Sequence, residues 1–361
     1  MTKTVAKRTK SKSCWNKYQK QNKTRHQVGL GITALICLIA LIVVGKFISF
    51  CFNLNQPFSL DGSATLSSFD PGYAVKSQWS GQGVVNILFK AQEISLISLD
   101  VTSKKVTILK IPEDTSIEVP LGFGKWPIRS IYGLGEAENP KIGARLLEEA
   151  VSSAFGVPVD GYLIFPSTFA SSAEETVINI RQNPLAFDKL LQAKTDLSFV
   201  ELMKFWLATK SVRTDKVKVL DLGDSQLTDW VTLADGSKVL NLDKSKLDQF
   251  IQNNFSDQKV ADEGLSIGIF NATNHPGLAE KAARVISNVG GRVVSIANSS
   301  EKLTKTIVSP KKSYTQKRVS EYFASCGNQK DCKMPAEVDV NRVDLIIVLG
   351  EDYYLRSTRQ K

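Results

Sequence analysis

The stretch that decides the fold is VVNILFKAQEISLISLDVTSKKVTILKIPEDT, residues 84–115. Val84–Phe89 is a short apolar run, and Ile94–Asp100 and Lys105–Ile111 are two further runs rich in Ile, Leu and Val. Aliphatic and β-branched side chains in runs of this length are typical of strands. Residues 101–104 separate the last two runs as the turn of a hairpin does. The stretch therefore predicts three consecutive strands at the start of an α/β domain.

The rest of this first domain, placed at 83–243, alternates helical and strand patterns. Apolar residues recur at helical spacing over Lys141–Phe155, and Asp196 stands where it can cap a second helix at about 197–210. Short apolar runs predict further strands at Gly161–Phe165, Lys216–Leu222 and Trp230–Leu233. A connector at 244–263 follows, with a helix over Lys244–Phe255. These patterns predict a mixed α/β (α+β) fold.

A second domain is predicted at 264–355 from six short elements. The elements are strand Leu265–Asn271, helix Pro276–Asn288, strands Arg292–Ile296 and Lys305–Val308, helix Ser313–Ala324 and strand Val343–Leu349. Proline suits the first turn of a helix, where its missing N–H is not needed. The order β-α-β-β-α-β predicts two helices on one face of a small sheet.

Charge and hydropathy divide the N-terminal part into a tail, a membrane segment and a linker. The tail, 1–27, holds nine Lys/Arg and no acid, and the segment 28–52 opens with 18 uncharged residues. Eighteen helical residues are about 27 Å long, close to the hydrocarbon thickness of a bilayer. The basic tail predicts a cytoplasmic N-terminus, so the C-terminal domains are expected to be extracytoplasmic on a single-pass cell-membrane protein. Residues 53–82, rich in Ser, Gly, Asn and Gln, are predicted to be a linker.

A cleaved signal peptide is the main alternative to this anchor. The basic region and the apolar run are long for a signal peptide, and no Ala-x-Ala site follows them. Lipidation at Cys51 is a second alternative, but Phe50 is bulky for the position before a modified cysteine.

The charge balance outside the tail excludes a nucleic-acid role for most of the chain. Of 46 Lys/Arg, 37 lie beyond the tail and face all 36 Asp/Glu. Nucleic-acid binding needs a basic excess, so we expect no nucleic-acid partner, although the tail alone stays open to anionic lipid or nucleic acid. His26 and His275 are the only histidines, which argues against a His-rich metal site and a Ser-His-Asp triad.

The first domain resembles the LytR-CpsA-Psr family. Asn86–Phe89, the hairpin Ile94–Ile111 and then Pro112-Glu113-Asp114-Thr115 follow the order of that family's first strand, hairpin and Ile-Pro-Arg-Asp-Thr motif. Ile128–Gly135 is similar to its Lys-Ile-Asn-x-x-Tyr-x-x-Gly segment, and Phe155–Tyr162 to its Leu-Gly-x-Pro-Ile-Asp-x-Tyr element. The resemblance extends over about 84–166 and weakens beyond it.

The second domain resembles the LytR C-terminal domain. Ile267–Thr273, Gly277-Leu278-Ala279 and Val348–Tyr353 follow that domain's Val-x-Val-Leu-Asn-Gly-Thr, Gly-Leu-Ala and Val-Leu-Gly-x-Asp patterns. The resemblance covers the whole second domain. A membrane segment with a cytoplasmic N-terminus, then the first domain and then the second domain, is the domain order that the family has.

The family resemblance implies a reaction and a set of partners. Family members transfer glycopolymers from a polyprenyl-pyrophosphate carrier onto peptidoglycan, with basic groups on the pyrophosphate and acids that hold Mg²⁺ or activate the acceptor. This chain departs from the pattern, because the family's Asp before the second strand falls on Gln92 and its motif Arg falls on Glu113. An acid at that place repels pyrophosphate.

Three polar residues survive as candidates at this site. Asp114 and Arg129 are weak catalytic candidates, and Thr115 and Arg129 are candidate ligand-binding residues. An ordinary turn or helix cap explains Asp114-Thr115 equally, and Arg129 can be solvated. No resident metal or cofactor is expected, and Mg²⁺ enters only if the chain is a transferase.

Cys326 and Cys332 are the only cysteines beyond the membrane segment, and their spacing suits a small disulfide loop in an oxidising compartment. Two free thiols are the alternative.

Two functions follow from these departures. The first is a non-catalytic binding or scaffolding protein of the cell envelope, a pseudoenzyme on the family's fold. The second is a glycopolymer transferase with a rearranged site. The expected partners are the membrane, cell-wall glycopolymer, polyprenyl-phosphate lipid and envelope proteins.

The predicted topology is tested with reporter fusions. A reporter active only outside the cytoplasm should work after residue 60, and protease added to intact cells should spare only the tail and anchor. A cytoplasm-only reporter that is active when fused at residue 260 contradicts the topology.

Overall fold

The computed structural model of the chain describes residues 46, 79–138, 142–183, 186–224, 226–233, 235–308, 312–323, 325–326, 333–335 and 343–358. Apart from Lys46, the predicted tail and membrane segment lie outside these residues, as does the linker up to residue 78. No helix among the described residues has the length and apolar character needed to cross a bilayer. The chain divides into two units, 1–56 and 57–361, and the elements below belong to the second.

The helices and strands of this unit are numbered in chain order. The strands are β1 Val84–Lys90, β2 Ile94–Asp100, β3 Lys105–Ile111, β4 Thr115–Val119, β5 Gly124–Pro127, β6 Gly161–Ile164, β7 Lys194–Thr195, β8 Val217–Asp221, β9 Thr228–Thr232, β10 Lys238–Leu242, β11 Ser266–Asn271, β12 Arg292–Asn298, β13 Ile307–Val308 and β14 Leu345–Leu349. The helices are α1 Ile128–Glu138, α2 Gly143–Phe155, α3 Ala173–Gln182, α4 Phe187–Leu190, α5 Phe199–Lys210, α6 Lys244–Phe255, α7 Gln258–Glu263, α8 Leu278–Asn288, α9 Tyr314–Phe323 and α10 Glu351–Thr358. Strands β2 and β3 have the predicted bounds.

A six-stranded sheet with the order β7-β6-β1-β2-β3-β8 forms the centre of the first domain. β1, β2 and β3 pair antiparallel as a meander, while β6 and β8 add in parallel on either side. Burial of both faces explains why these strands are almost continuously apolar instead of alternating.

Each face of this sheet is covered by helices. Helices α3, α4 and α5 pack on one face, where Leu202 and Phe205 join the core. Helices α1, α2 and α6 pack on the other, together with a small sheet of order β5-β4-β10-β9. In that sheet β4 pairs in parallel with β10, which comes more than a hundred residues later in the chain.

The second domain has the predicted order β11-α8-β12-β13-α9-β14. Its sheet order is β12-β11-β14-β13, with β11 parallel to both β12 and β14. Leu278 and Ala282 of α8 and Phe323 of α9 share one apolar cluster, so both helices lie on the same face as predicted.

Two arginines of the second domain make polar contacts with the first domain. Arg318 on α9 donates two hydrogen bonds of 2.8 and 2.9 Å to the Asp160 carboxylate, which also accepts the Asn86 amide at 2.8 Å. Arg284 on α8 pairs with Asp248 at 2.7 Å and donates to the carbonyls of residues 153 and 154. Burial disfavours the Arg318 charge, but Asp160 more than offsets this and raises the pKa of Arg318 above its usual range.

A glycine allows a close approach between the domains at Gly156. Gly156 ends α2 with φ of 62°, a left-handed conformation that favours glycine. The Asn288 amide donates to its carbonyl at 3.1 Å, and a Cβ at Gly156 would lie 2.6 Å from that amide nitrogen. A side chain at this position would push the second domain away.

Three predicted boundaries need correction. Trp79 was placed in the linker, but it is only 4% exposed and belongs to the core with α5. Helix α6 was assigned to a connector, yet Leu247, Ile251 and Phe255 form an apolar stripe inside the first domain's core. The cap of α5 is Ser198, which completes a capping box with Glu201, whereas Asp196 accepts the Tyr162 amide.

The contact between Arg318 and Asp160 can be tested with a matched pair of variants. Arg318→Met leaves the Asp160 carboxylate without its cation, and breaking a buried ion pair costs about 3–5 kcal/mol. Arg213→Met removes an ion pair to Asp215 that is mostly exposed, so the unfolding midpoint should hardly move. The measurement is urea unfolding of the detergent-solubilised chain, and equal midpoints for both variants would contradict the assignment.

Candidate functional site

The register of the six-stranded sheet brings two lysines to one end of one face. Lys194 pairs with Ile164, Ile164 with Lys90, Lys90 with Ile94 and Ile94 with Ile111. Residues paired across strands point to the same face, and Ile94 and Ile111 pack in the core beneath α1 and α2. Lys90 and Lys194 therefore flank that core on the side of α1.

Helix α1 presents three polar residues to this end of the sheet. Arg129, Tyr132 and Glu136 are three and four residues apart and so share one helix face. The ammonium of Lys90 lies 5.3 Å from the centre of the Tyr132 ring, and that of Lys194 lies 5.9 Å from it. Lys194 also pairs with the Glu136 carboxylate at 3.5 Å. The tyrosine ring is thus held between two cations.

Asp114 and Arg129, the two catalytic candidates, form an ion pair with each other. Their side chains are 37% and 49% exposed. The Arg129 amide donates to the Glu113 carbonyl at 3.2 Å, which ties the start of α1 to the turn after β3. Each charge therefore has an opposite charge beside it, while both side chains stay partly open to solvent.

The ligand-binding candidate Thr115 lies in the interior. It is 0% exposed, because it starts β4 and faces the core. Its hydroxyl has no hydrogen-bond partner among the described residues. This placement corrects the expectation for Thr115, since a fully buried hydroxyl cannot reach a ligand from solvent.

Two residues stand where the LytR-CpsA-Psr family has an Asp and an Arg, and both are on the surface. Gln92 and Glu113 are exposed, at the ends of β1 and β3 respectively. The acid of Glu113 therefore faces solvent close to Asp114, and adds a negative charge to this end of the sheet.

Charge pairing limits what this arrangement can do chemically. Arg129 is matched by Asp114 and Lys194 by Glu136. Lys90 has no ion pair among the described residues. No three His, Cys, Asp or Glu side chains come together in the described parts of the chain as a metal site requires. The site can hold a single anionic group weakly, through Lys90.

Residues 264–353 match the family model described as LytR cell envelope-related transcriptional attenuator. The second domain is a LytR C-terminal domain. The match covers all the elements from β11 to β14. No curated protein matches the chain.

Solved structures similar to the chain come from the LytR-CPS2A-psr family. TagT of B. subtilis is 15% identical, with 56% of this chain and 97% of TagT covered at a TM-score of 0.36. TagV of B. subtilis is 14% identical, with 46% and 94% covered at a TM-score of 0.36. YwtF (TagT), with bound octaprenyl pyrophosphate lipid, is 16% identical, with 56% and 96% covered at 0.35.

The motif residues of the LytR C-terminal domain shape a loop after β11. Asn271 accepts hydrogen bonds from the Thr273 amide at 3.0 Å and hydroxyl at 2.7 Å, and its own amide donates to the His275 carbonyl at 2.8 Å. His275 in turn contacts Glu351 at 2.7 Å. The motif therefore fixes the turn between β11 and α8, and these side chains are occupied by the turn.

One cysteine of the predicted disulfide lies in the described chain. Cys326 is disulfide-bonded. Cys332 lies outside the described residues, so its pairing with Cys326 stays a prediction.

Sequence reasoning missed Lys90, Lys194, Tyr132 and Glu136 as members of one cluster. Tyr132 lies within the segment Ile128–Gly135 that resembles the family, and Lys90 lies between two of the predicted strands. Lys194 lies more than a hundred residues away from Lys90, and only the strand register brings the two together. A helical spacing of Arg129, Tyr132 and Glu136 was the one signal available.

Replacing threonine by valine should change the free energy of unfolding in opposite directions at two buried positions, Thr115 and Thr195. Thr115→Val removes an unpartnered hydroxyl and should raise the free energy of unfolding by about 1 kcal/mol. Thr195→Val is the matched control, because the Thr195 hydroxyl accepts the Leu197 amide at 3.1 Å, and its loss should cost about 1 kcal/mol. Urea unfolding of both variants provides the test. Destabilisation by Thr115→Val would mean that this hydroxyl has a partner.

Proposed function

We propose that the chain is a membrane-anchored, extracytoplasmic protein of the cell envelope that binds or scaffolds envelope components without catalysing glycopolymer transfer. The description of the matched family supports the envelope assignment. The basic tail and apolar segment support the anchor and the N-in topology.

The observation that carries the non-catalytic role is the closed packing of the first domain. A groove for a polyprenyl chain would leave the apolar side chains that line it accessible to water when empty. The apolar core side chains of β1, β2 and β3 are at most 3% exposed on both faces. The helix residues above them, among them Leu147 and Leu202, are equally buried. Within the described part of the chain, this packing leaves no apolar groove along the centre of the sheet.

The charges at the end of the sheet support the same conclusion. A pyrophosphate carries several negative charges and needs cations that are not already neutralised. Arg129 and Lys194 both have carboxylate partners, and Glu113 adds a further negative charge on the surface. A catalytic acid would also have to be free, whereas Asp114 is held by Arg129.

A glycopolymer transferase with a rearranged site is the second candidate. Lys90 favours it, because this cation lies beside Tyr132 without a carboxylate partner among the described residues. The TagT structure with bound octaprenyl pyrophosphate lipid gives the ligand class to test. Mg²⁺ enters the proposal only here.

The proposed function is tested by lipid binding and turnover. The full chain, reconstituted in nanodiscs, is offered a polyprenyl pyrophosphate with and without Mg²⁺. We expect no transfer and no binding above empty nanodiscs. Glu113→Arg should strengthen binding by roughly tenfold if the site retains affinity, since one charge-assisted contact is worth about 1.5–3 kcal/mol. Glu118→Arg, on the exposed side of β4, is the matched control and should leave binding unchanged.

Turnover by the natural chain would favour the transferase. If this turnover disappears with Asp114→Ala or Arg129→Ala, while Glu118→Ala keeps it, the active site has been rebuilt around the Asp114–Arg129 pair.

A further inference from the structure

Helix α5 has an apolar outer face that the fold leaves uncovered. Its inner face buries Leu202, Phe205 and Thr209 against the sheet. Met203 and Leu207 on the outer face are 40% and 54% exposed. With Val200 and Lys210 they form a continuous row, here called the α5 ridge, because residues three and four apart are neighbours on a helix.

The α5 ridge has only positive charges beside it on its own helix. Glu201, the single acid of α5, is turned inward, where it accepts the Ser198 amide and hydroxyl. Lys210 is exposed, with its ammonium 5.2 Å from the centre of the Trp206 ring. The exposed apolar side chains of the α5 ridge thus lie next to a cation, while Trp206 itself packs against the core.

The described part of the folded domain begins at residue 79, and this residue contacts α5. The Trp79 amide donates to the Glu201 carboxylate at 2.7 Å, and the Lys204 ammonium donates to the Trp79 carbonyl at 3.2 Å. The chain that comes from the proposed anchor therefore joins the folded domain at the first two turns of α5. Residues 53–78 can span at most about 90 Å, so α5 stays within reach of the bilayer.

We propose that the α5 ridge docks on the lipid surface of the outer leaflet, with Met203 and Leu207 at the boundary between head groups and acyl chains. The inference rests on the proposed membrane anchoring. Lys210 complements the phosphate groups of anionic lipids. Docking holds α5, and the domain built on it, at the membrane surface instead of free at the end of the linker.

The test uses the full chain in vesicles of phosphatidylethanolamine and phosphatidylglycerol. Cys14, Cys37 and Cys51 are replaced by Ser, and an environment-sensitive fluorophore is attached through Met203→Cys. Ile296→Cys on β12 is the matched control, because Ile296 is 46% exposed on the second domain. Lipids brominated in their acyl chains should quench the label at 203 about twofold and leave the label at 296 unchanged.

A second variant separates docking from chance proximity. Leu207→Glu places a carboxylate at the acyl boundary and should abolish quenching at 203, while Val294→Glu on β12 should preserve it. Replacing phosphatidylglycerol by a neutral lipid should weaken the quenching, because the Lys210 contribution is electrostatic.

Each other outcome overturns the inference in its own way. A chain that floats with the vesicles but carries an unquenched label at 203 is anchored without docking. Equal quenching at 203 and 296 means that no particular face meets the lipid. A blue-shifted, unquenched label whose shift grows with protein concentration identifies a second copy as the occupant. A chain that does not float with the vesicles refutes both the anchor and the docking.

Discussion

A largely buried ion pair between Asp160 and Arg318 is one of the contacts that hold the two domains together. Asp160 accepts two hydrogen bonds from Arg318 and one from the Asn86 amide, while its own amide donates to the Asn86 carbonyl at 2.7 Å. It therefore links the beginning of the central strand to a helix of the second domain. Charges this far from water are stable only when their hydrogen bonds are satisfied. This ion pair holds α9 of the second domain against the first domain.

The same sheet that is anchored by Asp160 carries the candidate site at its opposite end. There the chain places cations and carboxylates in pairs around Tyr132, and closes the apolar space between sheet and helices. Family-like motifs can thus persist as structural parts: the turn after β3 tethers α1, and Asn271 holds the turn before α8. Motif residues that build turns are not by themselves a sign of catalysis.

Local patterns were enough to predict the meander and the order of the second domain. The runs 94–100 and 105–111 have a clear strand composition, and α8 has a wide apolar stripe. Both patterns lie within short stretches of sequence, so these elements could be predicted from local sequence alone. Long-range contacts could not be read in this way. Trp79 is buried because a carboxylate more than a hundred residues later accepts its amide, and the pair Lys90 and Lys194 exists only through strand register. Thr115 looked like a polar site residue, yet β4 turns it into the core.

The burial of Trp79 has a mechanical consequence. Tension applied to the chain on the N-terminal side of Trp79 is resisted first by the contacts of Trp79 with α5. Once these break, the force acts along β1. β1 is held on one side by β2 and on the other by β6, so such a load shears two hydrogen-bonded ladders at once. Unfolding under force is governed by the rate of crossing that barrier and not by equilibrium stability. The domain thus takes up tension at the centre of its sheet, where many hydrogen bonds share it.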